Sequence, residues 1–250
     1  MKQYRNLITE IFAQNNTRKT RNGETLSLFS PCQMTFHMED GFPLLTLKRM
    51  AWHQLFAEFE WFLAGGRNIK ELNEKGIHYW DSYADESGDL GPIYGAQWSK
   101  YQQVKRLIET LKTNPNHRRH LIVNWNEEDL PEMSLPPCVM LYQFYVQNHR
   151  LSVHVYQRSA DVFLGLPFDI AQTALLLHYI AKETGLIPET IYYTIGDAHI
   201  YEEHYGACNI MLKRAEYPLP QLEIHRHPHG YVYELKNYKS HGVLKRELKP

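Results

Sequence analysis

The sequence predicts an α+β fold in which helices cover an antiparallel or mixed sheet, and three observations carry that reading. Two strand-like runs, Val139–Val146 and Leu151–Tyr156, are joined only by Gln147-Asn148-His149-Arg150, which describes an antiparallel hairpin. Two helical stretches, residues 50–64 and 170–183, are apolar around most of their circumference and so belong inside the molecule. Composition hardly shifts along the 250 residues, and no repeat, low-complexity tract or Ser/Gly-rich linker interrupts it. Hairpin-linked strands mixed with buried helices are the pattern of an α+β protein, here expected as a single domain over residues 1–250.

Each element has its own signal. Residues 2–14 place Tyr4, Leu7, Ile8, Ile11 and Phe12 at helical spacing. The polar stretch Asn15 to Glu24, with Asn22-Gly23, predicts a loop or turn. The helix over 50–64 is stopped by Gly65-Gly66. Trp52, Leu55, Phe56, Phe59, Trp61, Phe62 and Leu63 nearly encircle it, yet it also carries Glu58 and Glu60. Val104 to Leu111 predicts a short amphipathic helix ended by Asn114-Pro115, and Leu121–Trp125 a short strand. Beyond the hairpin and the 170–183 helix, Tyr201–Lys213 predicts a helix and Gln221–His227 a late strand.

Charge and composition exclude several classes. With 27 basic and 28 acidic side chains the net charge is −1, so no specific nucleic-acid partner held by phosphate neutralisation is expected. No apolar run approaches the ~20 residues of a membrane span. Three widely spaced cysteines, Cys32, Cys138 and Cys208, argue for a reducing, cytoplasmic setting with room for one reactive thiol. The many aromatic and histidine residues suit a pocket for a flat, polar ring.

The chemistry-bearing residues are scattered. In Leu135-Pro136-Pro137-Cys138 two prolines fix the backbone where a cysteine enters a strand. A nucleophilic thiol needs a nearby cation, and Arg158 in Gln157-Arg158-Ser159-Ala160-Asp161 is a candidate. Arg21 and the pair Arg118-Arg119 add two more arginine sites, and guanidinium forks match phosphate oxygens. His225, His227 and His229 alternate, but Pro228 interrupts them and no carboxylate or cysteine is expected to complete a set, so no metal is expected.

Taken in order, the motifs resemble the thymidylate synthase family. The matching runs include Asp40-Gly41-Phe42-Pro43-Leu44, Trp80-Asp81, Gly88-Asp89-Leu90-Gly91-Pro92, Tyr94-Gly95-Ala96-Gln97-Trp98 and Pro136-Pro137-Cys138. They continue from Gln157 unbroken to Phe168, and end with Gly196-Asp197-Ala198-His199-Ile200-Tyr201. The resemblance implies a homodimer that moves a one-carbon unit from 5,10-methylenetetrahydrofolate to C5 of a pyrimidine nucleoside monophosphate. It implies that Cys138 adds to C6 of the base, and that Arg21, Gln157, Arg158 and Ser159 hold the nucleotide. Arg118 and Arg119 would reach in from the partner subunit, and His199 and Tyr201 would bind the sugar hydroxyl. Glu58 and Tyr94 would move protons around C4 and C5; a carboxyl in an apolar helix should have the raised pKa this needs. Trp80, Leu135, Asp161, Leu164, Gly165 and Phe168 would line the folate side, with Asp161 also near the nucleotide.

Four departures from the family's usual pattern bear on substrate and product. Asp169 stands where thymidylate synthases carry asparagine. An amide matches the N3–H donor and O4 acceptor of uracil, whereas a carboxyl matches the amino group and bare N3 of cytosine. Relatives that act on deoxycytidylate carry aspartate at this place, so dCMP is the expected substrate. Val139 replaces the histidine usual beside the cysteine, and Tyr83 a tryptophan near the folate. The tail from Leu244 to Pro250 is charged where the family closes its site with an apolar segment. Trp80 and Leu135 favour hydride transfer and a methyl product. Tyr83 and the polar tail favour water and 5-hydroxymethyl-dCMP, which is the expected product.

Overall fold

The computed structural model describes residues 1–228 and 230–244, without the side chains of Ser30 and Pro31. His229 and the tail from Lys245, on which the sequence reading of site closure rests, lie outside the described residues.

Helix α1, Lys2–Gln14, buries Tyr4, Leu7, Ile8 and Ile11, the face its spacing predicts. The polar stretch after it is not a simple loop. Thr17–Thr20 forms β1 and pairs antiparallel with the start of β2, Gly23–His37, around Arg21-Asn22. Then follow α2 (Trp52–Leu63), α3 (Lys70–Asn73), α4 (Tyr94–Lys100) and α5 (Gln103–Thr113). Strands β3 (Leu121–Val123), β4 (Val139–Gln147) and β5 (Arg150–Asp161) lead to α6 (Leu166–Thr184) and β6 (Ile187–Tyr201). The chain then forms α7 (Tyr205–Leu212), β7 (Gln221–His227) and β8 (Gly230–Lys236).

Six strands make one mixed sheet in the order β1-β2-β6-β5-β4-β3. Every pair is antiparallel except β5 and β6, which the α6 crossover makes parallel. The β4–β5 hairpin turns through Asn148 and His149, both at positive φ, as a two-residue connection matched to strand twist requires. Two expectations need correction. Tyr201–Lys213 is not one helix: Tyr201 ends β6, residues 202–204 form a 3-10 turn, and only Tyr205–Leu212 is α-helical. Helix α6 begins at Leu166 rather than 170, because Pro167 is well tolerated in a first turn, and this brings Asp169 into that turn.

One face of the sheet, with Ile122, Tyr142, Phe144, Val153, Val155, Ile191 and Tyr193, is buried in the core with α6. On the other face Leu121, Val123, Tyr145, Tyr156 and Tyr192 stay exposed. Helices α2 and α4 approach closely at Gly95: a Cβ there would lie 2.6 Å from the Phe62 backbone. Among the described residues no helix is long and apolar enough to cross a membrane.

Candidate active site

The carboxyl ends of the parallel strands β5 and β6 bring two of the sequence motifs side by side. Ser159 pairs with Asp197, and Asp161 with His199. On the far side of β6, Ser27 pairs with His199 and Thr25 with Tyr201, so the β1–β2 turn holding Arg21 lies at the same end of the sheet. His199 and Tyr201 meet edge-to-face at 5.3 Å, and His199 Nδ1 lies 3.6 Å from Asp197, which also takes Arg18 at 2.6 Å. Sequence reasoning passed over Arg18; its alternation on β1 gave no sign of an acidic partner 179 positions away.

Cys138 is half-buried at the mouth of β4, and its backbone N–H donates to the Tyr94 hydroxyl at 2.9 Å. Gly95 permits the approach that sets Tyr94 there. The Arg158 guanidinium donates to the carbonyls of Pro136 (2.7 Å) and Pro137 (2.8 Å), and the Arg158 N–H to that of Cys138 (2.8 Å). It also lies over the Trp125 ring at 5.5 Å. Arg158 therefore braces the Pro-Pro-Cys backbone as well as placing charge near sulfur. Burial pushes the Cys138 thiol up to about 11 although Arg158 pulls it down, so the thiol is protonated at neutral pH without a ligand. Val139 beside it points into the core.

Glu58 is 7% exposed, and both its oxygens are used. Trp80 Nε1 donates to Oε1 at 2.6 Å and Gln172 Nε2 to Oε2 at 3.0 Å. Burial raises its pKa to about 7 against the pull of those bonds. Asp169 rises to about 7 as well, again by burial, with the charge of Asp161 adding to it. Gln157 opposes this by donating to Asp169 Oδ2 at 2.8 Å. Gln157, placed by the resemblance against the nucleotide, is 1% exposed and already bonded to Asp169, the Ser159 carbonyl and the Tyr193 hydroxyl. Gln172 and Tyr193 carry no signal of their own in the sequence, since each lies on an element that reads as ordinary core.

Leu135, Leu164 and Phe168 are each partly buried against the core, and the rings of Trp80 and Tyr83 meet edge-to-face at 5.7 Å. Asp161 Oδ1 accepts the N–H groups of Phe163 (2.9 Å) and Leu164 (3.0 Å) and so fixes the turn that carries Gly165 into α6. The Tyr83 hydroxyl is raised by burial and by the charges of Cys138, Tyr201 and Asp161, while Arg21 lowers it; the two motifs and the Trp80–Tyr83 ring pair share one neighbourhood.

Arg118 and Arg119 are not part of that neighbourhood. The His120 carbonyl accepts from Phe144 N–H, six residues along β4 from Cys138, which is roughly 20 Å of strand. At the opposite end of the chain, the histidine reading is corrected: Glu223 and Glu234 do flank His225 within 4.8 Å, so carboxylates are present. Lys236 lies 2.7 Å from Glu223 and 3.8 Å from Glu234, an exposed ion-pair network on the β7–β8 hairpin.

Two carboxyls raised by burial, a cysteine with an arginine beside it and a pair of aromatic rings are gathered in one region, the composition of an enzyme active site. A sequence model of thymidylate synthase matches residues 2–249, and the chain belongs to the thymidylate synthase family. Its activity is accordingly one-carbon transfer from methylenetetrahydrofolate to a pyrimidine nucleotide.

Proposed function

We propose that the nucleotide is dCMP and that the product is 5-hydroxymethyl-dCMP. The observation that carries this reading is Asp169, a half-buried carboxyl in the first turn of α6 whose Oδ2 is bound by Gln157. With a pKa near neutrality it supplies both partners cytosine needs: an acceptor for the amino group and a proton for N3. Cys138 sulfur bonds to C6 and its own proton leaves; Arg158 stabilises the sulfur anion, and Asp169 supports the proton at N3 as electrons move into the ring. Glu58 and Tyr94 handle protons near C4 and C5. Trp80, Leu135, Leu164 and Phe168 would supply apolar contact for a flat pterin ring, and the folate bound there would supply the one-carbon unit. Tyr83, whose ring meets that of Trp80 at 5.7 Å, puts a phenol where the family usually has tryptophan, which supports water rather than hydride as the final nucleophile.

The test is turnover with methylenetetrahydrofolate and either dCMP or dUMP, products weighed by mass spectrometry, in wild type and Asp169→Asn. Wild type should favour dCMP, and the variant should shift toward dUMP by about one to two orders of magnitude in kcat/KM. A wild type that prefers dUMP overturns the substrate; a product heavier by a single CH2, formed with dihydrofolate, overturns the hydroxymethyl assignment.

A further inference from the structure

A buried carboxyl does not by itself tell cytosine from uracil. A neutral carboxyl can hold its proton on either oxygen. With the proton on the oxygen facing N3 it donates to N3 and accepts from the amino group, which matches cytosine. With the proton on the other oxygen it donates to O4 and accepts from N3–H, which matches uracil. Burial raises Asp169 to about 7, so its neutral form is present at working pH and the ambiguity is real.

The groups behind Asp169 remove that freedom. Gln157 Nε2 donates one hydrogen to Asp169 Oδ2 at 2.8 Å and the other to the Ser159 carbonyl at 2.9 Å. Its Oε1 accepts from the hydroxyl of Tyr193, a fully buried residue on β6. All three contacts specify one amide orientation, since a turned amide would set Oε1 against the Ser159 carbonyl and forfeit the Tyr193 donor. A hydroxyl at Oδ2 would be a poorer acceptor for the Gln157 N–H than a carbonyl oxygen, so the proton of a neutral Asp169 belongs on Oδ1. Resting on the cytidylate reading above, we propose that Tyr193, acting through Gln157, is a positioning residue that confines the Asp169 proton to Oδ1 and so sets which pyrimidine the site accepts. Oδ1 then faces N3 and Oδ2 the exocyclic group at C4.

The experiment measures kcat/KM for dCMP and dUMP, at equal folate, in wild type, Tyr193→Phe and Gln157→Leu. Tyr193→Phe keeps the ring and removes only the donor to Gln157; Gln157→Leu removes the donor to Asp169 as well. General loss of packing lowers both constants together, whereas loss of the lock changes their ratio. The preference should fall about three- to tenfold in Tyr193→Phe and further in Gln157→Leu, the worth of one neutral hydrogen bond or slightly more. Ratios within twofold of wild type in both variants overturn the proposal, as does a sharper preference in either. A wild type that prefers dUMP defeats the cytidylate reading instead, and the ratio still reports on the lock, because a confined proton favours one base whichever base that is.

Discussion

At the scale of single residues, Glu58 holds a proton that an exposed glutamate would release. Its pKa in the fold is about 7 against an ordinary 4.5, raised by burial. Between those values the folded state keeps a proton that the unfolded state has lost, so stability falls as pH rises through that window and is level above it. The loss amounts to up to about 3 kcal/mol, taking 1.36 kcal/mol per unit. Glu58→Gln has nothing to ionise. Compared with wild type, its urea stability should be more favourable at pH 8 than at pH 5 by about 2–3 kcal/mol, while turnover drops by about 10²–10⁴ from lost proton transfer. An equal stability difference at both pH values would show that Glu58 is ionised in the folded protein. Glu58 was legible in the sequence because a carboxyl stood out on an apolar helix. Asp169 was legible only against the family's asparagine. Tyr193 and Gln172 were not legible at all, because a tyrosine in an aromatic-rich strand and a glutamine on a helix are everyday residues until the fold gives them partners.

At the scale of elements, α2 and α4 place Tyr94 under the Cys138 backbone, and they do so through a glycine. Gly95→Ala sets a Cβ 2.6 Å from both Cα and O of Phe62, against backbone that cannot turn aside. The helices must separate, costing about 1–3 kcal/mol, and the Tyr94 hydroxyl must leave its 2.9 Å bond to Cys138. We expect a thermal midpoint several degrees lower, about 2–4 °C per kcal/mol for a chain of this size, with kcat reduced well beyond that loss of stability. Unchanged midpoint and kcat would mean that the contact is not a constraint. Elements with a local signature were readable: α1 and α2 by periodicity, the β4–β5 hairpin by its short polar turn. The two longest strands were not. In β2 the register breaks between Phe29 and Cys32, where Ser30-Pro31 interrupts the alternation, and proline cannot donate to the ladder. In β6, strands on both sides satisfy the backbone, so burial follows neighbours remote in sequence and no clean period-two pattern survives.

At the scale of the whole molecule, one side of the sheet carries exposed apolar residues and Arg118-Arg119 lie away from Cys138, and a single assembly would account for both. The register aligns Leu121, Gln143, His154 and Tyr192 in one row across the exposed face, and Val123, Leu141, Tyr156 and Thr194 in the next. Tyr192 and Tyr156 with Leu121 and Val123 in those rows, and Tyr145 farther along β4, are exposed and form the kind of surface that a second copy can cover. Arg118 and Arg119 immediately precede β3 at the edge of that face, roughly 20 Å of strand away from their own Cys138. A two-fold axis through the face would carry each pair toward the partner's nucleotide site, since an isologous contact exchanges equivalent residues. We therefore expect a homodimer whose two sites each draw Cys138 from one subunit and Arg118-Arg119 from the other. Arg119→Ala and Cys138→Ser homodimers should each be nearly inactive. Mixing them in equal amounts under subunit exchange gives half heterodimers, each with one doubly defective site and one intact site. Activity should therefore return to about a quarter of wild type per total site, and chemical crosslinking before mixing should abolish the recovery. If exchange is demonstrated by mass and no activity returns, the arginines act within their own subunit or not at all, and the shared site is wrong.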